Sequence, residues 1–140
     1  MKFLALDLGD KWVGTAISDP LGITCKPYKT IEIENLEKDL NIILEQEPIT
    51  RIIVGYPKTF SGTESDQTKK VVQLKEELEQ KFTHCQGEQI LWVLWDERLS
   101  SKRASSLKQA TNKEEKQKSH SVAAAFILQS YLDNQAFNRE

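Results

Sequence analysis

Apolar residues come in short runs at the start of the chain. Phe3-Leu4-Ala5-Leu6 is stopped by the turn pair Gly9-Asp10, and Trp12-Val13-Gly14-Thr15-Ala16-Ile17 by the cluster Ser18-Asp19-Pro20-Leu21-Gly22. Residues 23–33 predict a third, more exposed strand; Pro27 confines it to an edge or a break, because proline cannot donate to a ladder. Three strands on tight connections make an antiparallel meander. The period then changes to that of a helix, with Leu36, Leu40, Ile43 and Leu44 on one face and Pro48 closing it. Arg51-Ile52-Ile53-Val54-Gly55 is a β-branched run suited to a buried strand. Thr63 or Ser65 caps a helix whose apolar face is Val71, Leu74, Leu78 and Phe82. Residues 90–95 form a continuous apolar strand of the kind buried on both faces. A helix over about 100–110, a polar loop over 112–118 and a last helix marked by Val122, Phe126 and Ile127 complete the order βββαβαβαα. Helices alternating with strands imply parallel crossovers, so the expected fold is α/β, a mixed sheet flanked by helices.

Composition narrows this further. With 140 residues, 39% hydrophobic and 29% charged, the chain suits one domain over residues 1–140 rather than a disordered or low-complexity chain. No run approaches the roughly 18–20 apolar residues of a membrane span, and a carboxylate at Asp7 comes too early for a signal peptide. The expectation is a cytoplasmic protein with no membrane partner. Cys25 and Cys85 have no metal or redox spacing and suit free thiols in a reducing compartment. The net charge of −2 argues against a polyanionic partner, but its distribution argues for one. Residues 98–118 hold seven basic and two acidic side chains, a net of +5, whereas the rest of the chain holds twelve against nineteen. A solvated lysine-rich loop is the competing explanation.

Three segments carry candidate chemistry. Asp7 interrupts an apolar strand, where a carboxylate is costly unless a cation sits against it; hard divalent metals take such oxygens, although a turn-forming Asp is the ordinary explanation. Asp96-Glu97-Arg98 follows the apolar strand 90–95, at a strand's carboxyl end, where functional groups collect. Alternation puts Asp96 and Glu97 on opposite faces, so only one can share a site with Asp7; acids decorating a helix start need no function. Lys11, in the turn after the first strand, and Lys58 and Thr63, in the loop 55–63, suit phosphate contacts, but that loop lacks Walker A spacing. His120 stands between Ser119 and Ser121, either of which suits a helix cap.

Together these segments resemble one family. Ala5-Leu6-Asp7-Leu8-Gly9-Asp10-Lys11 with Gly14 and Ser18-Asp19, Ile53-Val54-Gly55-Tyr56-Pro57 with Gly62-Thr63, Asp96-Glu97-Arg98-Leu99-Ser100-Ser101 with Ala104, and Ala123-Ala124 with Ile127-Leu128-Gln129 and Tyr131-Leu132 are similar to the YqgF/RuvX family, in register over nearly the whole chain. Its members are Holliday-junction-resolvase-like proteins described as pre-16S rRNA nucleases. The resemblance implies an RNase H-like fold with a mixed five-stranded sheet, in agreement with the βββαβαβαα order. It also implies a cytoplasmic, metal-dependent endonuclease maturing the 5′ end of 16S rRNA. By position Asp7 and Glu97 become the metal-binding carboxylates, with Asp96 the second choice. Trp12 stands where the family usually has a basic residue, and His120 where it usually has Asp.

The mechanism expected from this combination is metal-assisted phosphodiester hydrolysis. Asp7 bridges two divalent ions, Glu97 and His120 each complete one shell, and Mn²⁺ is favoured over Mg²⁺ because it accepts imidazole nitrogen more readily. Lys11, Lys58, Thr63, Arg98, Lys102, Arg103 and Lys108 are the expected contacts to the nucleic acid, most simply a structured precursor rRNA bound by a monomer or weak dimer. A non-catalytic RNA-binding or ribosome-assembly module and a four-way DNA junction resolvase are the alternatives.

Overall fold

The computed structural model describes residues 1–56, 66–96 and 113–138. β1 (Lys2–Leu8), β2 (Trp12–Ser18) and β3 (Cys25–Glu32) form the antiparallel meander. A 3-10 turn at Ile33–Asn35 leads into α1 (Leu36–Gln46), and β4 (Ile49–Tyr56) then pairs with β1 in parallel. α2 (Asp66–Lys81) precedes a two-residue hairpin, β5 (His84–Cys85) with β6 (Glu88–Gln89). β7 (Leu91–Asp96) pairs with β4 in parallel, and α3 (Lys113–Asn138) follows. The five-stranded sheet has the order β3-β2-β1-β4-β7. The carboxyl ends of β1, β4 and β7 therefore lie along the same edge.

Strand alternation divides the core into two unlike faces. Leu4, Leu6 and Leu8 of β1, Val13 and Ile17 of β2, Ile52 and Val54 of β4 and Trp92 of β7 pack against Leu36, Leu40, Ile43 and Leu44 of α1 and Val71 and Leu78 of α2. The opposite face mixes small residues with large ones. Ala5, Ala16 and Ile53 meet Ala124, Ile127, Leu128, Tyr131 and Leu132 of α3. Small side chains on both surfaces let helix and sheet approach closely. At Gly14 an added Cβ would lie 2.0 Å from the His120 carbonyl oxygen, a contact that only glycine can accommodate.

Polar groups finish this frame. Ser18 accepts the Phe3 amide at 2.8 Å, and the Asp19 carboxylate accepts the amides of Ile23 (2.8 Å) and Thr24 (3.2 Å) to close the β2–β3 turn. Those bonds, Ile23 first, hold the Asp19 carboxyl below its ordinary value. Gly22 in that turn has φ +69° and supplies the left-handed residue. At the far end of α3, Arg51 donates to the Tyr131 hydroxyl at 2.6 Å, and Trp95 meets the Tyr131 ring edge-on at 5.3 Å.

Three sequence expectations are corrected. Residues 113–118 are helical rather than a polar loop, so α3 starts seven residues before His120. Lys, Glu and Gln are good helix formers, and without an apolar stripe this stretch has no periodicity to reveal it. Consequently neither Ser119 nor Ser121 caps the helix. β7 is an outer strand rather than one buried on both faces, with Leu91 52% and Leu94 37% exposed. His84 opens a hairpin whose turn has two left-handed residues, Gln86 (φ 51°) and Gly87 (φ 86°). The helix expected over 100–110 and the caps Thr63 and Ser65 fall outside the described residues.

Cys25 and Cys85 are both free thiols. Cys25 donates to the Ala125 carbonyl at 3.2 Å, and burial pushes its pKa up to about 11, with the Asp133 and Asp19 carboxylates adding to the shift. A pKa of about 11 leaves roughly a hundredfold less thiolate at pH 8 than an ordinary cysteine has. Alkylation by iodoacetamide, followed by peptide mass spectrometry, should therefore be slow at Cys25 at pH 8. Its rate should keep rising to about pH 11 instead of levelling near 9. Gly14→Ala tests the helix approach: it should lower unfolding stability by about 3 kcal/mol or more in urea titration, because backbone rather than a flexible side chain must move.

Candidate active site

Asp7 sits one residue from the carboxyl end of β1 and is half-buried. Leu6 and Leu8 beside it enter the aliphatic face, so alternation gives Asp7 the α3 face, in the row of Phe3 and Ala5. The register pairs Asp7 with Gly14 of β2, and Gly14 with Thr30 of β3. The backbone of His120 lies directly on the middle of that row, at Gly14. This contact brings a half-buried strand carboxylate and a half-buried helix imidazole to neighbouring positions on one face of the sheet.

The two edges of α3 fix which way His120 is turned. Ser121 shares a hydrogen bond with Thr30, and Gln129 donates to the Ile23 carbonyl at 3.1 Å, so the row 121, 125, 129 lies over β3 and its turn. Tyr131 reaches the other way, to Phe3 of β1, Arg51 of β4 and Trp95 of β7. His120 is eleven residues before Tyr131, just over three helical turns, and so shares its row with Ala124, Ile127 and Tyr131. That row lies on the β1 side, toward Asp7.

The carboxyl end of β7 approaches the same edge. Asp96 pairs with Tyr56 at the end of β4, and Trp95 pairs with Gly55. Trp95 donates to Ser130 of α3 at 3.1 Å, which gives Trp95 the α3 face and Asp96 the opposite one. Asp96 therefore does not share a face with Asp7. Lys11 is exposed in the β1–β2 turn, at the same end of the sheet as Asp7. Gly9 closes that turn by donating to the Trp12 carbonyl at 3.0 Å, and a Cβ there would lie 2.7 Å from the same oxygen. Glu97, Arg98, Lys102, Arg103, Lys108, Lys58 and Thr63 lie outside the described residues. Among the described residues no group of three or more His, Cys, Asp or Glu is arranged to hold a metal. Thr30 was not singled out from the sequence, and Ser121 was read only as a candidate helix cap. Only the placement of a hydroxyl immediately beside His120 offered a signal.

The sheet order and the convergence of β1, β4 and β7 at one edge are those of an RNase H-like fold, and likeness to known proteins gives the family. A family model described as "RuvX: Holliday junction resolvase" matches residues 1–134, and the chain belongs to this family. It is 39% identical over 142 aligned residues to a protein of Desulforamulus reducens, covering 97% of this chain and 99% of the relative. A Clostridium tetani protein is 37% identical over 147, with 96% and 97% covered; both are named "Putative pre-16S rRNA nuclease". Among solved structures, the fowlpox virus Holliday junction resolvase superposes with a TM-score of 0.52 at 15% identity, covering 96% of this chain and 99% of that one. RuvC of T. thermophilus, in complex with a Holliday junction substrate, gives 0.50 at 11%, with 97% and 96% covered. At those identities the likeness concerns the fold, which is RNase H-like, as the sequence resemblance implied.

Proposed function

We propose that this protein is a metal-dependent endonuclease that hydrolyses phosphodiester bonds in structured precursor rRNA, at the 5′ end of pre-16S rRNA, in the cytoplasm. The observation that carries the reading is the seating of His120 on Gly14, the register partner of Asp7. The names carried by the relatives from D. reducens and C. tetani support the substrate.

The donor chemistry at this edge suits a hard divalent cation, because Asp7 is a half-buried carboxylate oxygen donor with an imidazole on the neighbouring helix. Asp7, Glu97 and His120 are the residues that would hold Mg²⁺ or Mn²⁺, with Mn²⁺ preferred because of the imidazole. Asp96 is the poorer candidate, since β7 alternation turns it to the other face. When bound, the metal supplies positive charge at the phosphoryl oxygens and polarises water. The chain's own residues do the rest. Asp7 and Glu97 concentrate negative charge where the cation is needed. Lys11, at the tip of the β1–β2 turn, and Lys58 with Thr63 hold phosphates beside the scissile bond. Arg98, Lys102, Arg103 and Lys108 bind the flanking backbone without reading sequence.

The occupant of position 120 supports a second reading, a non-catalytic RNA-binding or assembly module, because the family usually has Asp there. DNA junction cleavage is a third, resting on the family's description. One assay separates them: cleavage of a structured precursor rRNA fragment and of a four-way DNA junction, each with Mg²⁺ or Mn²⁺. Cleavage of the RNA with preference for Mn²⁺ supports the proposal; binding without cleavage of either supports the module.

Asp7→Asn should abolish cleavage while leaving thermal stability equal or higher, since it keeps the volume and removes a partly buried charge. Cleavage by this variant at near wild-type rate overturns the site. In the same assay His120→Asp should shift the preference from Mn²⁺ toward Mg²⁺.

The basic segment makes a separate prediction. Replacing Lys102, Arg103 and Lys108 together with Ala should weaken binding to every RNA tested. It should also flatten the plot of log affinity against log salt by roughly 0.7–0.9 for each phosphate left unneutralised. An unchanged slope would return this segment to a solvated surface.

A further inference from the structure

The row Asp7–Gly14–Thr30 crosses three strands, and α3 touches it at two points. The His120 backbone rests on Gly14 in the middle. Ser121, 5% exposed, shares a hydrogen bond with Thr30 on the outer strand, with 2.5 Å between the hydroxyl oxygens. Thr30 is itself held in place by a bulge. The β2–β3 register shifts between Gly14 and Ala16, and the fully buried Thr15 hydroxyl fills the gap, accepting the Lys29 amide at 2.8 Å and donating to the Lys29 carbonyl at 2.6 Å.

Packing alone specifies the aim of α3 less tightly at residues 120–124 than further along the helix, where Ile127, Leu128, Tyr131 and Leu132 are buried. Around Gly14 the contact is of small groups, Gly14, Ala5 and Ala16 against Ala124, which offer few knobs to hold that stretch of the helix in place. Apolar contact is non-directional, whereas a hydrogen bond has a preferred length and angle. A roll of about 20° carries a group at the helix surface, about 5–6 Å from the axis, through roughly 2 Å. Misplacement by about 1 Å can cost a catalytic group on the order of a hundredfold in rate.

We infer that the Thr30–Ser121 hydroxyl pair fixes the turn of α3 at residues 120 and 121 and thereby aims the His120 side chain at Asp7, making Thr30 and Ser121 positioning residues of the site. Successive helical residues are separated by about 100°, so a pin on the β3 side at 121 turns residue 120 toward β1. The catalytic consequence rests on the proposed roles of Asp7 and His120; the geometric statement does not.

Three variants test it. Thr30→Val removes the hydroxyl from the strand at nearly constant shape, Ser121→Ala removes it from the helix with a residue that favours helix, and Thr30→Ser restores the bond. In the metal-free protein, NMR should show Overhauser effects between the His120 ring and the backbone amides of Asp7 or Gly14. These effects should persist in Thr30→Ser and vanish in both Thr30→Val and Ser121→Ala. In the cleavage assay, kcat should fall about tenfold or more in the latter two with KM within about twofold, and recover in Thr30→Ser. Overhauser effects absent from wild type, or unchanged in Thr30→Val and Ser121→Ala, overturn the inference. A wild type that shows them but does not cleave overturns the nuclease reading alone, and the NMR comparison still decides the positioning role.

Discussion

The arrangement at the candidate site depends on one backbone contact, the His120 carbonyl lying where Gly14 would otherwise carry a side chain. A glycine in a strand forfeits packing and adds chain entropy to be lost on folding, so its presence in β2 calls for a reason. The reason is steric. With any Cβ at this position, α3 would have to lift from the sheet just where Asp7 stands in register. Ala5, Ala16 and Ala124 continue the same close approach along the helix.

The two faces of the sheet consequently do different work. Leucines, isoleucines and valines fill the side covered by α1 and α2, where burial of apolar area dominates and many packings of similar volume would serve. The α3 side buries fewer large groups near the site and is tied by directional bonds instead: Cys25 to Ala125, Gln129 to Ile23, Thr30 to Ser121, Arg51 to Tyr131. Among the described residues, the large aromatic side chains of this face gather around Tyr131, where Phe3 and Trp95 meet it. Stability is concentrated on one face, and the geometry of Asp7 and His120 on the other.

This division explains what was legible in the sequence. Strands and helices that bury large apolar residues announced themselves: the meander, α1 with Leu36, Leu40, Ile43 and Leu44, and β4 all follow their periodicity. Elements without a buried stripe did not. The first turns of α3 are polar and left no periodic signal, and the β5–β6 hairpin is too short to have one. The outer position of β7 depends on strand order, which the run Leu91-Trp92-Val93-Leu94-Trp95 cannot express. At the site, Asp7 was visible because a charge interrupts an apolar strand. That Asp96 and Glu97 cannot both share a face with Asp7 is legible from alternation, but that Asp96 faces away from α3 required the contact from Trp95 to Ser130. Thr30 and Ser121 are 91 positions apart, and nothing local links two hydroxyls across that distance.

The same contact bears on the unusual occupant of position 120. α3 meets Gly14 through the carbonyl of His120 and the amide of Ser121, groups that every residue type except proline supplies. The close approach therefore places no demand on the side chain at 120. An Asp or a His there leaves the helix equally well seated, while the ligand chemistry offered toward Asp7 changes from oxygen to nitrogen. The side chain at 121 has less latitude, because its hydroxyl is the partner of Thr30 in a nearly fully buried setting, where an unpaired polar atom is costly. Chemistry at this edge can thus vary at one residue of α3, provided that the next one holds the helix in place.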